Sequence, residues 1–353
     1  MRSPDLKSRL KPVLPLVAGF FGLMALGRLF PAFAGVIDLA LPFFGLIGLG
    51  FICGRMFDFG EEGLAWVNVY IVYAALPSLM FTLVSRTPIA ELLNFRFVAC
   101  TVGATITAFA IAFAVGMKAS KGDPQQASIQ ALVGGYANIG YMGPGLTFAA
   151  LGSGSAAPTA LIFVADTIFL FSAVPLLMTA GRADGESVVR LIGRALVRAL
   201  TNPFNLSVFI AVIAAYFAWQ PPAPIARMTT LLSGSAAPAA LFALGVTVAL
   251  RPMKRVAPEL PFLLAIKLIG HPLIVYAYLS AMGGFDRVWT FTAVLMASLP
   301  PALNVFVMAS QYRVYVERAS SAILIGTLVS VVSVTGLLWL VTSDHLPLSL
   351  FAR

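Results

Sequence analysis

The chain has 353 residues, 59% of them hydrophobic and 10% charged, against about 25% charged in an ordinary soluble domain. Apolar runs of about 18 residues or more recur along it, which excludes a soluble globular fold; the alternating ten-residue segments of a membrane β-barrel are absent. The net charge of +9 does not call for a nucleic-acid partner, because no basic face with interleaved aromatics is present.

The first 11 residues are basic and an apolar stretch follows over roughly 12–30. Ala32-Phe33-Ala34 resembles a small-residue cleavage site, so this segment reads either as a signal peptide or as an extra helix. The retained helix is favoured, since Gly35 leads straight into the next run. Ten core spans come after it, at roughly 34–53, 63–84, 96–117, 127–151, 157–180, 203–219, 228–250, 259–281, 288–312 and 319–342. Each is close to the 20 or so residues that cross a bilayer. The expected fold class is therefore an all-α polytopic membrane protein.

Span four is interrupted by Asn138-Ile139-Gly140-Tyr141-Met142-Gly143-Pro144-Gly145 and span nine by Leu299-Pro300-Pro301-Ala302-Leu303-Asn304. Backbone released from helical bonding inside a bilayer must be satisfied by protein or water. Such breaks at matching places in two halves mark a binding site made from discontinuous helices. A single offset of 161 residues relates the halves. It carries Leu41-Pro42 onto Asn202-Pro203, Ala75-Leu76-Pro77 onto Ala236-Ala237-Pro238, and the first break onto the second. Five spans per half is an odd number, so the halves run oppositely and form an inverted repeat. The expected division is 1–33 as an N-terminal segment, 34–180 as the first repeat, 181–202 as a connecting loop, 203–342 as the second repeat and 343–353 as a tail.

Placing the 181–202 loop in the cytoplasm fixes every other loop. Sixteen of the 23 Lys and Arg then lie on the cytoplasmic side and six outside, with Lys267 left inside a span. That bias is the positive-inside rule, and it accounts for the basic charge. Arg190, Arg194 and Arg198 fall on one stripe of an amphipathic stretch suited to anionic lipid, or else on a solvated connector. Cys53 and Cys100 and two lone His offer no metal-ligand spacing, and no cofactor motif or ATP-binding motif is present.

The second half of a broken helix carries a positive partial charge at its start, so two such ends suit a carboxylate. Asn138 and Asn304 can contact substrate or cap their own half-helices; both roles stay open. Gly140 and Gly143 let backbone approach the substrate, whereas Pro144, Pro300 and Pro301 enforce the breaks by removing N–H groups. Lys267, in span eight, is a functional candidate because of its depth. It could neutralise an anion, replace a sodium ion, pair with Asp166, or snorkel to a surface. Asp166, the single deep carboxylate, is the candidate proton carrier or a static partner. His271 reads more readily as a structural His than as a proton relay. Asp38 and Glu259 read as interfacial. With no pair of deep carboxylates, sodium/proton exchange is disfavoured. Asp166, Lys267 and His271 look too few and too scattered for an intramembrane enzyme.

Several segments also resemble the bacterial auxin efflux carrier family, which includes malonate-type transporters. They are Asn138-x-Gly140-x-x-Gly143, Pro300-Pro301-Ala302-Leu303-Asn304-x-Phe306, Glu317-Arg318-Ala319-Ser320, Ala237-Pro238-x-x-Leu241-Phe242-Ala243-Leu244-Gly245 and Leu41-Pro42-Phe43-Phe44. The resemblance covers about 34–342. It implies a ten-helix fold similar to sodium–bile acid symporters, with two broken helices crossing in a transport domain beside a panel domain. It further implies carriage of small organic anions by an elevator-type motion in the bacterial inner membrane, coupled to protons or to sodium, with a homodimer as a candidate assembly. Sodium-coupled carriage of larger, sterol-like anions is the alternative, and a transport-inactive sensor a further one. Two departures stand out. Pro144 comes one residue earlier than the family's proline, with Gly145 in its place, and the last span lacks the family's proline after Ser333.

Overall fold

A computed structural model describes residues 31–57, 60–179, 200–250 and 256–351, with single positions between 190 and 197. The expected N-terminal helix or signal, most of the 181–199 loop with Arg198, and residues 251–255 lie outside the described residues. Helix α1 spans Pro31–Met56. Helices α2 (Gly60–Tyr70) and α3 (Leu76–Val84) are joined by a widened π turn at Ile71–Ala75. Then come the short α4 (Ile89–Leu92), α5 (Phe95–Ala119), α6 (Pro124–Gly135), α7 (Gly143–Leu151) and α8 (Ala156–Thr179). The second half contains α9 (Pro203–Tyr216), α10 (Ala223–Leu250), α11 (Leu260–Ala265) and α12 (His271–Met282). It closes with α13 (Arg287–Ser298), α14 (Asn304–Tyr312) and α15 (Val316–Thr342).

Among the described residues, six helical stretches are long and apolar enough to cross a membrane, and two shorter apolar helices, 40–56 and 203–216, accompany them. The two interrupted segments, α6–α7 and α13–α14, lie between these spans in chain order. The chain is a multi-pass membrane protein. Proline explains much of its local geometry. Both π turns, Ile71–Ala75 and Ile266–Gly270, sit immediately ahead of a proline, Pro77 or Pro272. A proline ring clashes with the carbonyl one turn back and cannot donate, so a widened turn relieves the helix without breaking it.

The helices pack in two groups. In one, α1 lies along α10, and α3 packs on α9 and α10. Gly50, Gly54 and Gly245 make the α1–α10 contact: a Cβ at Gly54 would come within 2.8 Å of Ala249 Cβ, and one at Gly50 or Gly245 would strike the partner's backbone. Helices without a hydrophobic drive between them gain by such close approach. In the other group, α5 packs on α6 and α12, and α12 on α13. Gly135 meets Phe109 and Gly116 meets Ala127 across the α5–α6 seam. The offset of 161 residues survives best at the breaks, where α7 and α14 begin and end in the same register. It fares less well elsewhere: Pro42 lies inside α1, whereas Pro203 opens α9 behind an Asn202 side-chain cap.

Candidate functional site at the paired breaks

Helix α6 runs out in Gly134-Gly135, and Tyr136 turns extended (φ −106°, ψ 115°). Helix α13 stops because Pro300 and Pro301 have no N–H to continue it; Leu299, ahead of them, is extended (φ −62°, ψ 151°), as a residue before proline prefers. The two breaks then meet. Asn138 N–H donates to Pro300 O at 2.8 Å, and Ala302 N–H donates to Tyr136 O at 3.2 Å. Ala137 and Pro301 form an antiparallel bridge. Each break thereby supplies the backbone partner that the other lacks, which is what a lipid-embedded break requires.

The second-half helices leave these breaks without a side-chain cap at either start. Their first N–H groups form two positive ends beside the crossing. Asn138 is 2% exposed, and its Nδ2 has no hydrogen-bond partner among the described residues. Asn304 is exposed, and its Nδ2 donates to Tyr136 Oη at 3.4 Å. Neither asparagine side chain caps its own half-helix.

Glycines hold the first break against its surroundings. A Cβ at Gly140 would lie 3.2 Å from Phe163, at Gly143 2.5 Å from Met296 Sδ, and at Gly145 2.6 Å from Ala237 Cβ. Gly140 and Gly143 thus serve packing at the crossing. Pro144 opens α7 and, with Gly145 and Phe148, forms one wall of a cleft of about 740 Å³ whose other wall includes Leu79 of α3 and Ser233 of α10. Tyr141 Oη donates to Asn68 Oδ1 at 3.1 Å, tying the first break to α2. Pro300 does more than shape the chain, since its carbonyl takes the Asn138 N–H; Pro301 packs where a Gly326 side chain would stand.

The ionisable candidates are brought together beside the second break. Lys267 is fully buried, so it does not snorkel. It lies in the π turn ahead of Pro272, and its Nζ donates to Ala297 O at 2.5 Å and contacts His271 Nδ1 at 2.9 Å. His271 Nε2 contacts Thr105 Oγ1 at 3.2 Å. Asp166, 3% exposed, lines a cavity of about 10 Å³ with Thr105, His271 and Ala297, room for about one water. Lys267 therefore does not pair directly with Asp166; Thr105 and His271 stand between them. The three groups that look scattered along the chain form one buried cluster from α8, the π turn Ile266–Gly270 and α12, joined by Thr105 of α5.

A second polar cluster was not legible in the sequence. Glu259, just ahead of α11, is 6% exposed. Its Oε1 accepts from Gln130 Nε2 at 2.6 Å and from Tyr315 Oη at 2.6 Å, with Arg318 Nη1 at 3.6 Å. Asp38 is exposed. Among the described residues no group of three His, Cys, Asp or Glu could hold a metal. Asn68, Thr105 and Gln130 are polar residues inside apolar runs, which was the available signal for them; Tyr315, between spans nine and ten, carried no such signal.

The match with known proteins agrees with this architecture. Residues 36–338 match the family described as membrane transport protein. The chain belongs to that family, which takes in the auxin efflux carriers. Within the membrane transport protein family it is 47% identical to a Rhizobium meliloti (strain 1021) protein named as a candidate malonate transporter, over 90% of this chain and 99% of the relative. It is 25% identical to an Escherichia coli K12 protein named only as an uncharacterized transporter, over 86% of this chain and 96% of that one. A rice protein named as a candidate auxin efflux carrier component is 28% identical over 40% of this chain and 26% of its own length. As a family member the chain is a membrane transporter.

Proposed function

We propose that the protein is a secondary carrier of small organic anions, carboxylates of the malonate class, working by elevator-type alternating access in a bacterial inner membrane. The observation that carries this reading is the antiparallel pairing of the two breaks. It sets two uncapped helix starts, a buried Asn138 with an unpartnered amide, and Asn304 around one crossing, a convergence of hydrogen-bond donors. Donors and positive helix ends favour a carboxylate. The antiparallel sense of the bridge supports an inverted repeat of two five-span halves. In that repeat the six long helices, the two shorter ones and the two broken ones make ten spans.

Lys267 supplies the fixed cation beside the second break, held by Ala297 O at the end of α13. A lysine that fills the place of a coupling cation supports sodium-independent transport, and Asp166 with His271 then offers the route for a coupled proton. The name of the R. meliloti relative supports malonate as the first substrate to try.

Uptake of radiolabelled malonate, acetate and succinate into proteoliposomes, driven by an imposed proton gradient or an imposed sodium gradient, tests this reading. Carboxylate uptake under the proton gradient alone is expected. Strict sodium dependence would refute the role of Lys267, and no carboxylate uptake under either gradient would refute the carrier assignment.

A further inference from the structure

The cleft of about 740 Å³ falls within the size range of ligand sites, and it joins two parts of the molecule that a carrier must connect. Its surface end is the turn between two apolar spans, 62–84 and 89–119, and there stand Arg86 and, on α4, Glu91. Its deep end reaches Ser233 and Ala237 of α10 and Pro144 at the start of α7. Ser233 is about 15 Å along α10 from its Ala223 end, at a rise of about 1.5 Å per residue. The cleft therefore runs from a membrane surface to the start of the half-helix that leaves the first break. Arg86 is exposed, and among the described residues it makes no ion pair, with Glu91 or any other group.

We propose that this cleft is the approach to the crossing for the carboxylate substrate, with Arg86 as its specificity-determining cation and Glu91 as the competing anion. The proposal rests on the carrier reading above and extends it to a site outside the paired breaks. A guanidinium at the mouth of a low-dielectric cleft raises the local concentration of anions and can grip a carboxylate with two parallel N–H donors. Glu91 in the same wall opposes anions and offsets part of the attraction of Arg86, so the pair sets how strongly the mouth draws a carboxylate. The walls between mouth and crossing, Leu79, Phe148 and Ala237 among them, are apolar and give a carboxylate few stopping points.

Calorimetric titration of the purified full chain with malonate and with acetate tests this. Arg86→Gln is expected to weaken malonate binding about tenfold, and Arg86→Lys about threefold, since lysine keeps the charge without the planar fork. Glu91→Gln is expected to tighten malonate about threefold, the opposite sign. Asn138→Ala serves as the reference for the crossing. Unchanged malonate affinity in Arg86→Gln, with binding lost in Asn138→Ala, overturns the cleft proposal and leaves the carrier reading standing. Absence of malonate and acetate binding by the wild type overturns both. A readout that leaves Arg86 in place is labelling of Ser233→Cys, in a Cys53→Ser, Cys100→Ser background, by a membrane-impermeant thiol reagent. Slower labelling in saturating malonate is expected, and labelling indifferent to malonate overturns the proposal.

Discussion

The two breaks share a register and satisfy each other's backbone, yet they are made by opposite means. The first is a glycine break: Gly134-Gly135 ends its helix, and Gly140, Gly143 and Gly145 let Phe163, Met296 and Ala237 press against bare backbone. The second is a proline break. Pro300 and Pro301 fix its dihedrals, Lys267 holds the last turn before it, and the chain after α14 passes through left-handed Arg313 and Tyr315 into the Glu259 cluster. Proline restricts the chain by itself, while glycine leaves the chain to be held by its neighbours. The comparison predicts that the second break is the rigid reference and the first the adaptable partner. The first is tied to α2 and α10 through Tyr141–Asn68 and Gly145–Ala237.

The largest expected effect that could break this comparison comes from filling the glycine side. Gly143→Val would drive a side chain into Met296 and should cost about 1–3 kcal/mol by overpacking, with uptake lost. Gly48→Ala, where nothing lies within 4 Å of the added carbon, should cost nothing. Equal thermal stability of both variants would remove close packing as the reason for glycine at the first break. On the proline side, Lys267→Met keeps an unbranched apolar stem and removes the charged amine. Malonate affinity should fall about tenfold, about 1.4 kcal/mol, with the folded protein still recovered in the membrane fraction; unchanged affinity would take Lys267 out of the anion site.

Two smaller effects sharpen the contrast. Tyr315→Phe removes one hydrogen bond to Glu259 and should lower stability by about 1 kcal/mol, seen as an earlier unfolding transition with malonate affinity unchanged. A loss of affinity instead would mean that the second break is not rigid by itself. Tyr141→Phe removes the tie to Asn68, worth about 0.5–1.5 kcal/mol. It should change the uptake rate by about threefold or less, and an unchanged rate would remove this tie from the transport cycle.

Much of this was readable in the sequence, and for physical reasons. Long apolar runs announce spans, and Gly, Pro and Asn inside them announce breaks, because a bilayer tolerates few exceptions. The offset of 161 residues located the starts of α7 and α14 in register with each other. What stayed hidden is whatever depends on residues far apart in the chain. Lys267 and His271, four residues apart, share a face by spacing alone, but the approach of Asp166 from α8 and Thr105 from α5 required packing that no spacing encodes. The hydrogen bonds of Glu259 were hidden too, because its partners, Gln130 and Tyr315, come from α6 and from the turn ahead of α15. The matching prolines Pro42 and Pro203 turned out to do different work, one inside a helix and one opening it. An offset in sequence is not yet an offset in geometry.

The central claim is that the paired breaks form the anion site, with Asn138 facing the ligand rather than capping a helix. Its most direct test is the binding isotherm of malonate to the wild type and to Asn138→Ala, measured on protein whose unfolding transitions coincide. The account predicts saturable binding to the wild type and a loss of at least about tenfold in the variant, as befits one buried polar contact left unmade. Equal affinity in the two proteins would contradict it.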